Sequence, residues 1–193
     1  MKDSKEGKIK KVAEAMLNLI FLHGTDAVTP TRLARAAGVS RSWIYKYLGG
    51  SQASLLDFSV QHFGEMFAEV NVPLDISSPA AYIKDQEESF GRLIDATDMF
   101  PGVISIFYQF RGKKHRLGPR IDEIATKQLS READEIAKCF KIPLARASQI
   151  SASLTIYRLG TAHAWVMGAL KKAYNRESLL KEYSLICKAL LPN

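Results

Sequence analysis

The chain has 193 residues, with 27 lysines and arginines against 20 aspartates and glutamates, which gives a formal net charge of +7. Its two cysteines, Cys139 and Cys187, lie in no CxxC or Cys/His cluster, which excludes a disulfide-stapled secreted fold and a zinc module. No hydrophobic run approaches the ~18 residues that a membrane span requires, and the N-terminus lacks the apolar core of a secretion signal, so we expect a cytoplasmic protein.

The first predicted helix covers Lys5 to His23. From Val12 onward its apolar side chains recur at helical spacing, and the run stops at Gly24, in the position of a helix C-terminus. This helix is long enough to cover a pair of shorter helices that follow it.

The stretch from Thr29 to Leu48 has the pattern of a helix-turn-helix. Thr29 and Ser40 stand where N-caps are needed, so we predict helices over Pro30 to Ala37 and Arg41 to Leu48. Two helices that cross closely in this motif need small, apolar or glycine residues at fixed positions. The residues at these positions are Leu33, Ala34, Gly38, Val39, Ile44 and Tyr47. Of these, Leu33, Val39, Ile44 and Tyr47 are expected to face inward. A purely structural helical hairpin is the alternative interpretation.

The second helix of this pair is predicted to present a polar, basic and aromatic face. At about 1.5 Å per residue it is roughly 12 Å long, comparable to the width of a B-DNA major groove, about 12 Å. Ser42 and Lys46 lie opposite Ile44 on the helix, with Trp43 and Tyr45 on the flanks.

Most of the excess positive charge lies in the first quarter of the chain. Residues 1–50 hold nine lysines and arginines against four acidic residues. Lysines near DNA add sequence-independent affinity through counterion release, so the asymmetry favours a phosphate-binding surface. A solvated basic tail explains the same count, because five of the nine are Lys2, Lys5, Lys8, Lys10 and Lys11.

The first 60 or so residues resemble the TetR family of bacterial transcriptional regulators. The matching positions are Val12, Ala15, Leu17, Leu19, Gly24, Thr29, Leu33-Ala34, Ala36-Ala37-Gly38-Val39-Ser40, Ile44-Tyr45, Tyr47-Leu48 and Leu55-Leu56. The resemblance implies an all-helical homodimeric repressor, whose N-terminal domains read a palindromic operator and whose C-terminal domains bind a small inducer. It maps the recognition helix onto Arg41 to Leu48 and the usual phosphate contacts onto Thr29, Tyr45 and Tyr47.

One departure from the family pattern follows the third helix. The family commonly has Ser-Lys-Glu at the start of the fourth helix, whereas this chain has Gly50-Ser51-Gln52, so a phosphate-binding lysine is missing. Ser51 can still cap the helix and leave its first N–H groups facing a phosphate. Lys46 is the first candidate to replace the lysine charge.

The rest of the chain is predicted to be helical as well. The predicted helices run from Ser51 to about Val70, Ala80 to about Met99, Val103 to Phe110, Ile121 to Phe140, about Leu144 to Ala173 and Arg176 to Leu191. Val103 to Phe110 also fits a buried strand, and helix is preferred because its neighbours are helical. The basic loop, Arg111 to Arg120, suits either an anionic ligand or plain solvation.

These patterns predict an all-α fold of about nine helices. We expect residues 1–50 to form the helix-turn-helix domain and 51–70 the connecting helix, and the resemblance implies that 71–193 form a ligand-binding and dimerisation domain. Within the last domain, Gly160, Ala164 and Gly168 recur every four residues. Small side chains let another helix approach, either within the subunit or in a four-helix dimer interface, which similarity to the family favours.

No catalytic, metal or cofactor site is expected. The four histidines are well separated, and the chain lacks HExxH, GxSxG, GxxxxGK[ST] and GxGxxG. The resemblance to the family implies an apolar or aromatic inducer, which we expect among residues of the second domain, although such residues at helical spacing also make ordinary core. The candidates are Phe90, Met99, Phe100, Phe107, Tyr108, Tyr157 and Trp165.

The sequence therefore predicts a cytoplasmic homodimeric repressor whose partners are an operator in double-stranded DNA, a second copy of itself and a small inducer, with no membrane. Arg41, Ser42 and Lys46, with Trp43 at the flank, are expected to face base edges. Phosphates are assigned to Thr29, Ser40, Tyr45, Tyr47 and Ser51. A ligand-sequestering or adaptor protein without operator binding is the alternative, and a helical enzyme is a third.

Overall fold

The computed structural model describes residues 4–70 and 74–192, and within them it contains nine α-helices and no strand. The predicted all-α fold is confirmed. The helices are α1 Lys5–His23, α2 Pro30–Ala37, α3 Arg41–Leu48, α4 Gln52–Val70, α5 Pro79–Met99, α6 Gly102–Phe110, α7 Gly118–Phe140, α8 Leu144–Val166 and α9 Arg176–Leu190. Residues 71–73 of the predicted boundary segment lie outside the described residues. None of the described helices has both the length and the apolarity needed to cross a membrane.

The first three helices have the predicted bounds because the chain marks their ends locally. The Thr29 side chain accepts a hydrogen bond from the Arg32 N–H at 3.3 Å, and the Ser40 side chain accepts one from the Trp43 N–H at 3.2 Å. Gly38 ends α2 in the left-handed conformation, with φ of 64°. The helix-turn-helix is thus specified by residues within the motif.

The first compact unit comprises the chain up to Phe67 together with Phe100–Asp122. In it α1 packs against α2 and α6, and α2 packs against α3. A Cβ at Gly102 would lie 2.7 Å from the Leu17 carbonyl oxygen, so α6 approaches α1 at a distance that a larger residue would prevent. Residues 100–122 therefore belong to the same compact unit as the helix-turn-helix and contact it through α1, whereas the sequence pattern assigned them to the later part of the chain.

The second compact unit comprises Ala68–Met99 and Glu123–Asn193. Helix α5 packs against α8 and α9 in this unit, and α8 also contacts α9. Its apolar core includes Phe90, Ile136, Leu154 and Tyr183, all buried. The core also buries a set of polar side chains, described below.

Helix α8 ends earlier than predicted, at Val166 rather than near Ala173. Gly168 follows in the left-handed conformation, with φ of 76°, and the Ala169 N–H donates to the Ala164 carbonyl at 3.0 Å. This is the geometry with which a glycine terminates a helix. Gly168 therefore lies beyond the helix, and the predicted small-residue stripe keeps only Gly160 and Ala164 on α8.

Candidate functional site

Helix α3 is anchored by one side chain and presents most of its others to solvent. Ile44 is 0% exposed, whereas Arg41, Ser42, Tyr45 and Lys46 are exposed. Among the residues assigned to phosphates, Thr29, Ser40 and Ser51 are also exposed. The helix is thus held on one side and leaves a basic and polar surface on the other.

Tyr47 differs from the prediction made from its spacing. It was expected to face inward, but its side chain is 40% exposed and its ring packs against Trp43 with the centroids 4.8 Å apart. Trp43 is only partly exposed. The two rings therefore form an aromatic edge along α3, and Tyr47 keeps a face in solvent.

Two ammonium groups lie over the Tyr47 ring. The Lys46 Nζ is 5.3 Å from the ring centroid, and the Lys5 Nζ, from the first turn of α1, is 5.2 Å from it. Sequence reasoning counted Lys5 only as one of several N-terminal lysines. The contact joins residues 42 positions apart along the chain, so no local pattern could have found it.

The first turn of α3 carries a cluster of donors and acceptors. The Ser40 and Ser42 hydroxyl oxygens are 3.0 Å apart. The Arg41 Nη2 donates to the Tyr45 hydroxyl at 3.1 Å, and the guanidinium lies 5.4 Å from the Tyr45 ring centroid. Arg41 is therefore held along the exposed face by its neighbour one turn later.

The segment between α3 and α4 makes a close contact with the Tyr45 ring. A Cβ at Gly50 would lie 2.4 Å from Cε1 of Tyr45, so the tyrosine ring occupies the space that a side chain at position 50 would need. A larger residue at position 50 would require this exposed ring to move.

Ser51 caps α4 as predicted, since its hydroxyl oxygen accepts a hydrogen bond from the Ser54 N–H at 3.1 Å. The Gln52 side chain donates to the Thr25 carbonyl oxygen at 2.9 Å and so ties the start of α4 to the turn before α2. These contacts fix the start of α4 without the lysine.

The basic loop is partly neutralised by contacts within the first unit. The Arg116 Nε donates to an Asp57 carboxylate oxygen at 2.8 Å, and the hydrogen bond from Arg116 lowers the pKa of that carboxyl. The Gly112 N–H donates to Asp122 at 3.1 Å. Lys113 and Lys114 remain exposed. The loop is therefore a folded connection, held at two points.

The residues predicted to line an inducer pocket divide between the two units. Phe100, Phe107 and Tyr108 belong to the first, and Phe90, Met99, Tyr157 and Trp165 belong to the second. In the second unit the rings of Phe90 and Tyr183 lie 4.6 Å apart and those of Phe90 and Tyr157 lie 6.3 Å apart. Met99 is exposed, and the Trp165 indole N–H donates to Asp98 at 3.1 Å. A single pocket lined by all seven stays a prediction.

Sequence reasoning missed a buried ion pair in the second unit. Glu132 on α7 is 2% exposed and Arg158 on α8 is 5% exposed, and their Oε1 and Nη2 atoms are 2.7 Å apart. Gln86 on α5 joins them: its Nε2 donates to the Glu132 Oε1 at 2.8 Å, and its Oε1 accepts from the Arg158 Nη1 at 3.1 Å. The pair therefore links three helices.

Hydroxyl groups complete this network. The Ser151 and Thr155 hydroxyls donate to the Glu132 Oε2 at 2.9 and 3.1 Å. The Tyr183 hydroxyl of α9 donates to the Gln86 Oε1 at 2.7 Å, and burial raises the pKa of Tyr183 well above its ordinary value. Burial also raises the pKa of the neighbouring Cys187 thiol to about 11, so this cysteine stays a protonated thiol at neutral pH.

A small cavity borders the network. It has a volume of about 10 Å³, enough for about one water molecule. Its lining residues are Leu74, Ser89, Gln128, Arg131, Glu132, Glu135 and Arg158. It is far too small for a drug-sized ligand, which needs about 300 Å³ or more.

No protein-family profile matches the sequence, and no curated protein matches it at a significant level. Solved structures do match. A TetR-family transcriptional regulator from Streptomyces coelicolor aligns with a TM-score of 0.70 at 20% identity, covering 97% of this chain and 82% of that one. The fatty acid degradation regulator FadR from Bacillus halodurans gives 0.67 at 15% identity, covering 97% and 96%. NalD of Pseudomonas aeruginosa, the secondary repressor of the MexAB-OprM multidrug efflux pump, gives 0.62 at 16%, covering 97% and 98%. At these identities the likeness establishes the fold.

Proposed function

We propose that this chain, which has the fold of the TetR-family transcriptional regulators, is a repressor that binds a palindromic operator as a homodimer and is released by a small molecule. The observation that carries the proposal is α3, held by the fully buried Ile44 and exposing Arg41, Ser42 and Lys46. A recognition helix needs this division between an anchored and an exposed side.

In this proposal α3 enters the major groove. Arg41, Ser42 and Lys46 face base edges, with Trp43 at the flank. The phosphate contacts that fix the register are Thr29, Ser40, Tyr45, Tyr47 and Ser51. All of these five are exposed, which supports their availability to DNA.

The test is selection of bound duplexes from a random-sequence library, followed by affinity measurements at several salt concentrations. We expect a palindromic consensus and an affinity whose logarithm falls linearly with log salt, by about 0.9 per phosphate neutralised. A protein that selects no sequence and binds duplex DNA with no salt dependence would overturn the proposal. If that protein is also a dimer carrying a small molecule, the ligand-sequestering alternative applies.

Arg41→Ala is expected to weaken binding to the selected duplex by about 1–3 kcal/mol and to relax base preference at the position it contacts. The guanidinium is held beside Tyr45 by the 3.1 Å hydrogen bond, so its loss removes a positioned donor. Arg146→Ala on α8 is the matched control, because it removes the same charge from an exposed site in the second unit. Equal effects of the two variants on sequence preference would contradict the assignment.

The homodimer is proposed to form through α8 and α9. Ile156 on α8 is 72% exposed and Leu185 on α9 is 57% exposed, which is unusual for large apolar side chains. Gly160 and Ala164 lie one and two turns after Ile156 on α8, where small side chains would admit a partner helix. A dimer also supplies two recognition helices for half-sites about 34 Å apart.

The double variant Ile156→Asp/Leu185→Asp is expected to be a monomer at micromolar concentration, because it places carboxylates in the proposed apolar contact. Sedimentation velocity measures the change. Ile76→Asp is the control, since Ile76 is an exposed apolar residue outside α8 and α9. The interface is misplaced if the double variant sediments as the wild type does.

The inducer is proposed to be a small apolar or aromatic molecule bound near the aromatic residues of the later part of the chain. Phe90, Tyr157 and Tyr183 supply clustered rings there, which supports such chemistry. A ligand shifts the dimer away from the DNA-binding state only by as much as its preference for the other state.

A further inference from the structure

The lysine that the family commonly has at the start of the fourth helix is absent, and the structure contains a cluster of charge elsewhere in the same unit. Lys5, Lys46 and Tyr47 come from α1 and α3, and the two ammonium groups lie 5.2 and 5.3 Å from the same tyrosine ring. All three side chains are exposed. Two ammonium groups therefore contact the ring of one exposed tyrosine.

Stability alone does not account for this arrangement. An exposed contact between an ammonium and a ring is weak, and the two like charges repel each other. Among the described residues neither ammonium has a carboxylate partner. The Tyr47 ring therefore lies beside positive charge that no carboxylate among the described residues neutralises.

We propose that the Lys5 ammonium and the Tyr47 hydroxyl bind one backbone phosphate of duplex DNA, while Lys46, over the same ring, keeps its proposed place at the base edges. The proposal rests on the proposed function. A phosphate in DNA carries two unesterified oxygens and one negative charge, so one ammonium donor and one hydroxyl donor match it. The site gives Lys5 a specific contact, whereas the sequence pattern counted it only among the N-terminal lysines.

The arrangement gives Tyr47 two separable roles. Its ring contacts the Lys5 ammonium, 5.2 Å from the centroid, and its hydroxyl is available as a donor. Its packing against Trp43, at 4.8 Å between centroids, fixes the ring on α3. In the proposed complex Lys5 therefore approaches the phosphate from a defined position beside α3.

The experiment measures affinity for the duplex selected by the wild-type protein, at several salt concentrations, for Lys5→Gln and for Lys10→Gln. Lys10 is the matched control, since it is an exposed lysine on the same helix. We expect Lys5→Gln to weaken binding about tenfold or more and to reduce the salt slope by about one per protomer, with base preference unchanged. Lys10→Gln should cause only a small uniform loss.

A second set of variants tests the cluster itself. Tyr47→Phe keeps the ring and should retain most of the Lys5 contribution, whereas Tyr47→Leu removes the ring and should make Lys5→Gln nearly silent. Thermal unfolding of each variant checks that the fold is unchanged. Equal losses for Lys5→Gln and Lys10→Gln, while the wild type still binds its selected duplex, would overturn this inference and leave the proposed function standing. A wild type without salt-dependent binding overturns the proposed function instead.

Discussion

Glu132→Gln should lower the free energy of unfolding by about 3–5 kcal/mol at neutral pH, because it leaves the buried Arg158 guanidinium without its counter-charge. Glu132 accepts hydrogen bonds from Gln86, Ser151 and Thr155 as well as from Arg158. The amide that replaces the carboxylate has only one acceptor oxygen, so part of this network is lost too. Urea unfolding followed by circular dichroism measures the change.

The control is Glu123→Gln on the same helix, where the carboxylate pairs with Lys127 at 2.8 Å in a largely exposed ion pair. Such a pair is worth at most about 1 kcal/mol. The double variant Glu132→Leu/Arg158→Met should cost much less than the sum of its two single changes, since it removes both buried charges together. A Glu132→Gln protein as stable as Glu123→Gln would show that the buried pair contributes little.

Ile44→Ala should destabilise the first unit by about 2–5 kcal/mol and, under the proposed function, abolish binding to the selected duplex at temperatures where the wild type still binds it. Ile44 is the one fully buried side chain of α3, so its truncation leaves a cavity beneath this helix. The exposed residues of α3 remain in the sequence, but the helix is no longer held in a fixed position.

Ile44→Val is the graded control for this prediction. It removes one methylene and should cost about 0.5–1.5 kcal/mol, with binding retained at low temperature. Thermal unfolding and a fluorescence-anisotropy titration with the selected duplex give the two quantities. Binding by Ile44→Ala as tight as that by Ile44→Val would mean that α3 is positioned by other contacts.

The helix-turn-helix could be predicted to the residue because its information is local. Thr29, Gly38 and Ser40 mark the ends of α2 and α3, and Leu33 and Ile44 mark the buried sides. Each of these signals acts within one or two turns of the chain. The same holds for Ser51 at the start of α4.

The sequence did not predict contacts between residues that are far apart along the chain, nor the role of Gly168 in ending α8. Gln86 and Arg158 lie 72 positions apart, and Lys5 meets Tyr47 across the whole helix-turn-helix. A faint signal did exist, since Arg158 falls four positions after the buried Leu154 and so on the inner side of α8. A glycine at position 168 fits two interpretations, a member of a small-residue stripe or the residue that ends a helix. Only the backbone conformation distinguishes between them.

The Tyr45 ring lying in the gap left by Gly50 constrains any attempt to re-engineer this protein. Introducing the Ser-Lys-Glu segment typical of the family would add a Cβ at position 50, which would force the Tyr45 ring to shift and so disturb the hydrogen bond that it accepts from Arg41. Under the proposed function, a lysine gained at position 51 would therefore come with a change in the position of Arg41. Positions 41, 45 and 50 are coupled and are best exchanged together.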